Sequence, residues 1–389
     1  MTSSASKTAE LVRQVGAALE ILAPNIPGPE EKALGLAISG GSDSTALLVL
    51  AAEWCAANGI RAEAVTVDHG LRAAAREEAE TVARLCRDLR VPHTILTWDR
   101  SADRSGAVAQ AEARDARHAL MADWAAQRGL GVLALGHTRD DRIETFLMRV
   151  RAGSGWRGLA GPMPSAASPA WPSGRGLRLI RPLLAFGREE LREMLRERNL
   201  GWAEDPSNLA TRFERVRMRT LAGQMAGQTL DKTLRVMDGL ALMRSAVLAE
   251  ARAALARTEI AEDTARIDID LLRALGPEAR LRLVEALVMA AGGASTPPRG
   301  DALKRAVERL CGASTTLTGL TLGGAWLRRD QLALGVCLAP ARRGETAGTS
   351  PIWDRAAGLL SDPRVEALSV RGDSHGPDPA FPGEKDAGK

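Results

Sequence analysis

Ser39-Gly40-Gly41-Ser42-Asp43-Ser44 stands between a short apolar run and an apolar helical pattern. These residue types suit an anion. Two glycines let the backbone approach a ligand and adopt dihedrals closed to other residues. The serines add hydroxyl donors. The unpaired N–H groups at the start of the following helix, with its dipole, favour negative charge. The loop is therefore expected to hold phosphate, against the alternative of a plain Gly-Ser turn. It is not the GxxxxGK(S/T) loop, because no lysine follows. A literal GxGxxG occurs at Gly153-Ser154-Gly155-Trp156-Arg157-Gly158, but it follows a helical pattern where a dinucleotide site needs a strand.

Two further constellations invite chemistry. In Gly136-His137-Thr138-Arg139-Asp140-Asp141-Arg142-Ile143-Glu144-Thr145, Asp141 and Glu144 are three apart on a helix and share a face. A carboxylate there could serve as a general base, although acids are also common in a first helical turn because the dipole favours them. Arg117 shares the helical stripe of Ala113, Leu120, Met121 and Trp124. An arginine on a buried face is costly unless it meets an anion, or unless it snorkels out at the stripe's edge. Arg114, one turn earlier, is a second candidate.

The elements that must position these residues are legible in the periodicity. A helix is expected over 8–22 and strands over 33–39, 62–68, 92–98 and 132–135. Helices are expected between and after them, over 45–58, 76–89, 107–128 and 140–150. Strands alternating with helices mean a parallel sheet covered on both faces. Residues 165–176 read as loop and 187–199 as a short helix. From about 222 the chain reads as mainly helical, with stripes in 230–255 and 278–289. Residues 317–338 read as a strand pair turning at 328–331, and the last fifty residues as mostly irregular.

The window 139–219 carries sixteen arginines, no lysine and ten acids, within a chain whose net charge is +4. That local excess points to a polyanionic partner. The four cysteines form no CxxC and the five histidines no HxxxH, so no zinc ribbon or cysteine-held cluster is expected. No apolar run is long enough to span a bilayer and no leader pattern opens the chain, so a cytoplasmic protein without membrane contact is expected. Oligomeric state is not legible.

The SGGxDS loop after a strand resembles the pyrophosphate-binding loop of the N-type ATP pyrophosphatases, which cleave ATP between the α and β phosphates. Val67-Asp68-His69-Gly70-Leu71-Arg72, the segment from Gly136, Arg151-Ala152-Gly153-Ser154-Gly155, Arg181-Pro182-Leu183-Leu184 and Glu204-Asp205-Pro206-Ser207-Asn208 follow in order. Together these look like the tRNA(Ile)-lysidine synthetase family of the PP-loop superfamily, over roughly residues 33–220. The chain departs from the family at His118, commonly tyrosine, and at Arg142, commonly glutamine. It also lacks an asparagine in the arginine-rich stretch from Arg212 to Arg219.

The resemblance implies an α/β fold: a parallel-sheet N-type ATP pyrophosphatase (adenine nucleotide alpha hydrolase-like) domain, then a helical domain and a small C-terminal α+β or β region. The expected limits are 1–220 for the catalytic domain with a core at 33–160, 221–313 for a helical tRNA-binding domain, 314–340 for a small β module, and 341–389 for an irregular tail. It implies ATP and Mg2+ as cofactors, and L-lysine and CAU-anticodon tRNA(Ile) as partners. ATP would adenylate the C2 oxygen of the wobble cytidine, and the lysine side-chain amine would displace AMP to leave lysidine.

ATP would be held by Ser39, Gly40, Gly41, Ser42, Asp43, Ser44, Asp68 and His69, with Asp43 a magnesium ligand or a loop-ordering residue. Arg117, His137, Asp141 and Glu144 would be catalytic, Arg117 on the α-phosphate and His137 near the adenylated centre. Asp141 and Glu144 would also bind lysine, whose amine, with a pKa of about 10.4, must lose a proton before attack. Arg151, Arg212, Arg215, Arg217 and Arg219 would grip tRNA by charge. The alternatives are another PP-loop tRNA-modifying enzyme, such as a thiolase, and a non-catalytic tRNA- or nucleotide-binding relative. A thiolase is expected to show paired or reactive cysteines. A dead relative is expected to have lost Asp43, Arg117 or Asp141, all of which are present.

Overall fold

The computed structural model describes residues 4–23, 32–68, 73–98, 107–170, 173–203, 214–225, 227–260, 264–293, 296–312, 319–329, 332–338 and 352–360. The chain opens with α1 (Ser4–Leu22), whose Leu11, Val15 and Leu19 recur at helical spacing and are buried. Then come β1 (Ala33–Ala37), α2 (Ser42–Ala57), β2 (Arg61–Asp68), α3 (Ala73–Asp88), β3 (His93–Thr97), α4 (Ala107–Gln127), β4 (Val132–Leu135) and α5 (Arg139–Arg151). This is the alternation expected from the sequence, with limits shifted by at most four residues.

After the short α6 (Trp156–Leu159) the structure departs from expectation. The segment read as loop contains β5 (Ser165–Ala167), and β6 (Arg178–Ile180) follows it before α7 (Arg188–Glu197). Three-residue strands carry too few alternating positions to show a period of two.

These six strands form one sheet in the order β3-β2-β1-β4-β6-β5, parallel except for the antiparallel pair β5–β6. The pleat sends alternate residues to opposite faces. Leu34, Leu36, Val132 and Ala134 enter a core with α1, α2 and α7, whereas Ala33, Leu133 and Leu135 pack with Met121 and Trp124 of α4. The chain leaves β1 toward β2 and β3, then crosses back to β4 on the other side of β1. In an open parallel sheet that reversal leaves a crevice at the carboxyl ends of the two strands. The loops after β1 and β4 both end there.

α8 (Glu214–Gly223) packs on α5, and α9 (Gly227–Leu255) leads into a second unit. There β7 (Glu259–Ile260), β8 (Thr264–Asp268), α10 (Ile269–Ala274), α11 (Pro277–Gly292), α12 (Gly300–Cys311), β9 (Leu320–Leu322), β10 (Ala325–Arg329), β11 (Ala333–Leu338) and α13 (Ile352–Leu360) surround one core. The strand pair expected over 317–338 is a set of three strands, and β7 and β8 join them in the order β7-β8-β11-β10-β9. Arg328 and Arg329, expected in the turn, lie within β10. Helix α13 lies within the segment expected to be irregular. Its Ala356 and Leu360 are buried in the second core. No described helix is long and apolar enough to cross a membrane.

Because Leu360 closes that core, Leu360→Ala should destabilise the second unit by about 2–5 kcal/mol. Equilibrium denaturation checks this, and an unchanged midpoint would mean that α13 adds nothing to the core.

Candidate active site

The loop after β1 is shaped mainly by its own side chains. Gly40 has φ +88, in the left-handed region that favours glycine. Ser44 Oγ donates to the Gly41 carbonyl at 3.0 Å and accepts from the Ser39 backbone N–H at 3.1 Å. Thr45 Oγ1 donates to the Gly40 carbonyl at 3.3 Å. Gly41 caps α2 without a side-chain cap, so the first turn keeps the donors and dipole that suit an anion. From the neighbouring strand Gly136 closes in: a Cβ there would stand 2.9 Å from Ser44 Cα and 3.0 Å from its N. From a third side the Ala203 N–H donates to the Gly40 carbonyl at 2.9 Å. Next to it Trp202 stacks under Arg192 and Arg196, at 5.9 and 5.6 Å from the ring centre.

The loop after β4 delivers the acids. Thr138 caps α5 in a capping box with Asp141, whose Oδ2 accepts from the Thr138 N–H at 2.8 Å. Asp141 Oδ1 accepts from Arg188 Nη2 at 3.2 Å. Glu144, 1% exposed, accepts on Oε1 from Arg188 Nη1 at 3.1 Å and from Arg219 Nε at 2.8 Å. Arg188 Nε donates to Asp43 Oδ2 at 2.9 Å, and Ser42 Oγ donates to Asp43 Oδ1 at 3.1 Å. One guanidinium thus joins the phosphate-type loop to the carboxylate pair. Burial works against the charge on Arg188, but Asp43, Asp141 and Glu144 together hold its pKa above the ordinary value. Burial pushes the Asp43 carboxyl up despite the pull of Arg188.

A second charged group forms around His118. This histidine is buried, and its pKa is lowered to about 4, first by burial and then by Arg117, Arg114 and Arg181. Arg181 is pushed down to about 10 by burial and by Arg114 and Arg244. Arg117 is half-buried beside the stripe of Met121 and Trp124, and Arg114 is exposed.

Of the residues singled out from the sequence, five meet here: Ser42, Asp43, Asp141, Glu144 and Arg219. Arg219, expected on the RNA-facing surface, reaches inward to Glu144. Asp68 ends β2 half-buried, and His137 is half-buried before α5. Arg151 and Arg217 are exposed. His69 and Arg212 lie outside the described residues, as does the side chain of Arg215.

Arg188, Arg192, Thr138 and Trp202 were not singled out from the sequence. Arg188 did leave a signal. It is the first residue of α7, where the helix dipole disfavours a cation, so its placement calls for an acid nearby.

Among the described residues no group of three or more His, Cys, Asp or Glu could hold a metal ion. Asp43 with the Ser42 hydroxyl is a sparse oxygen donor set at a helix start. That fits a magnesium ion brought by a nucleotide, which uses one or two carboxylates plus substrate phosphates. It does not fit a resident metal held by protein alone.

A family model described as a PP-loop domain matches residues 8–225. The chain is 42% identical over 336 residues to a tRNA(Ile)-lysidine synthase of Hyphomonas neptunium, covering 84% of this chain and 87% of the relative. It is 38% identical over 328 residues to a tRNA(Ile)-lysidine synthase of Mesorhizobium japonicum, covering 82% and 70%. Among solved structures it resembles the U34-tRNA thiolase NcsA of Methanococcus maripaludis, with TM-score 0.50 and 15% identity, over 62% of this chain and 79% of that one. At that identity the likeness is one of fold alone.

His118 makes stability depend on pH. Its folded pKa of about 4 lies below the ordinary 6.5, so its contribution is complete above pH 6.5. The contribution is lost as pH falls from 6.5 to about 4, because the unfolded chain then takes a proton that the folded one refuses. The loss should amount to about 2–4 kcal/mol. His118→Gln should flatten this part of the unfolding-midpoint profile between pH 7 and 4, and an identical profile would refute the assignment.

Proposed function

Since the chain belongs to the tRNA(Ile)-lysidine synthase family and is an ATP-dependent enzyme, we propose that it ligates L-lysine to C2 of the wobble cytidine of CAU-anticodon tRNA(Ile) in the cytoplasm. In the first step the C2 oxygen of the base attacks the α-phosphorus of ATP, and pyrophosphate leaves. In the second the lysine side-chain nitrogen bonds to C2, the C2–O bond breaks, and AMP leaves. The amine gives up its proton on the way.

One observation carries this function: the phosphate-type loop and a buried carboxylate pair meet on a single guanidinium. Phosphate chemistry and amine binding can thus share one crevice. In this mechanism Ser39–Ser44 holds the phosphates with its backbone N–H groups and hydroxyls, Asp68 lines the nucleotide from the end of the next strand, and His69 binds it as well. Asp43, with Ser42, would hold a magnesium ion whose charge neutralises the phosphates. Arg117 stabilises charge on the α-phosphate from the arginine group around His118, and His137 stands by the activated base. Asp141 and Glu144 draw the lysine ammonium by charge, and a carboxylate of the pair is within the chemistry of a general base. Arg151, Arg212, Arg215 and Arg217 contact tRNA phosphates. Arg219 contacts them too, while its Nε holds Glu144 of the lysine-binding pair.

Residues 1–220 form the adenylating part in this proposal, with 221–313 and 314–340 reading tRNA beyond the anticodon. Such reading is needed because the methionine CAU tRNA presents the same three bases. Sulfur transfer finds no ready thiol here. Burial pushes Cys55 and Cys86 up to about 12, Cys311 is raised by burial, and Cys337 is buried.

The test is incorporation of labelled lysine, with ATP and magnesium, into isoleucine CAU tRNA and separately into methionine CAU tRNA. Label is expected in the first only, with AMP and pyrophosphate released. ATP consumed without label would assign the chain another acceptor. Asp141→Asn should reduce transfer by about 100-fold or more while the fold survives. Near-normal transfer would remove Asp141 from the site.

A further inference from the structure

Arg188 has a placement that structural economy alone does not explain. It opens α7 against the helix dipole, and its side chain is 11% exposed. Its three carboxylate contacts come from two separate parts of the sheet. Asp43, at 2.9 Å, belongs to the loop after β1, and Asp141 and Glu144, at 3.2 and 3.1 Å, belong to the helix after β4. The backbone around it is held as well. The Arg188 N–H donates to Asp140 Oδ2 at 2.7 Å, the Arg139 N–H to the Phe186 carbonyl at 2.9 Å, and Arg192 Nε to Ser42 Oγ at 3.2 Å. The other charged groups nearby are Arg219 on Glu144, Arg139 beside Gly187, and Glu189 and Glu190 in the first turn of α7.

A guanidinium is a rigid planar fork whose donors point in set directions. With one arm on each carboxylate it sets their separation, which a point-like ammonium on a flexible stem would not do. In the function proposed above, the activated base sits over the Asp43 loop and the amine sits on the Asp141–Glu144 pair. The two must approach to near-contact in the second step. We propose that Arg188 is a positioning residue of that step, fixing the phosphate loop against the carboxylate pair so that the amine meets the face of the adenylated carbon. This rests on the lysine-transfer function. It adds a residue that binds no substrate atom itself and governs the coupling of the two half-reactions.

Arg188→Lys tests this, because it keeps the charge and loses the fork. Pyrophosphate release and lysine incorporation are followed together in a single turnover with enzyme in excess over tRNA. Wild type should release one pyrophosphate for each lysine incorporated. In Arg188→Lys, pyrophosphate release should run ahead while lysine incorporation slows by about 100-fold, the cost of a misplacement near 1 Å. A merely structural role would slow both and leave them in step. The proposal is overturned if lysine keeps pace with pyrophosphate in the variant, or if the variant releases no pyrophosphate, which would put Arg188 in the first step. Where thermal unfolding shows that Arg188→Lys does not fold, Arg188→Gln is read in the same way. Wild type that incorporates no lysine would instead overturn the lysine-transfer function itself.

Discussion

Everything in the site depends on β1 and β4 being hydrogen-bonded neighbours although ninety-odd residues separate them in the chain. Ala37 pairs with both Val65 and Leu135, so the ends of β1, β2 and β4 open on the same rim. The strand order reverses at this point, and the connecting helices leave in opposite directions and part to form a crevice. The phosphate-type loop and the acid-bearing helix are thus brought within one side chain's reach. Gly136 completes the approach, since any side chain there would press on the first turn of α2.

Bringing three carboxylates into one partly buried space creates an electrostatic problem. Each loses hydration, and like charges repel. The chain meets this with arginines rather than lysines, and Arg188 and Arg219 both reach Glu144. Arginine stays ionised under burial and offers several donors in fixed directions. A network of this kind is weak evidence for stability, because desolvation offsets much of the attraction. Its value lies in geometry, with every carboxylate oriented before a substrate arrives. The group around His118 is the opposite case. There Arg114, Arg117 and Arg181 crowd a neutral imidazole and repel one another, a disposition that favours an incoming anion.

The second unit is tied to the first through contacts that also touch the site's framework. Arg142 of α5 pairs with Asp238 of α9 at 2.6 Å, and Arg157 of α6 approaches Glu285 of α11 at 3.6 Å. These pairs start from the helix that carries Asp141 and Glu144 and from the one after it. What the second unit holds is therefore mechanically close to the acid pair. Arg142 is the residue that makes the first of these links.

Local order in the chain determined much of this. A run of alternating or striped apolar residues needs only its neighbours to declare a strand or helix. So β1 to β4 and α1 to α5 were legible, as were the SGGSDS loop and the Asp141–Glu144 face, because each is a contiguous stretch. Tertiary structure decided the rest. β5, β6 and β7 are too short to show a period and exist because a neighbouring strand supplies their hydrogen bonds. Helix α13 is stabilised by packing on α9 and α11, elements that lie far back along the chain. The direction of Arg219 and the role of Arg188 could not be read along the chain, because charge carries no address. A guanidinium chooses among the many acids of the sequence only when folding has removed water from some of them and set three within its reach.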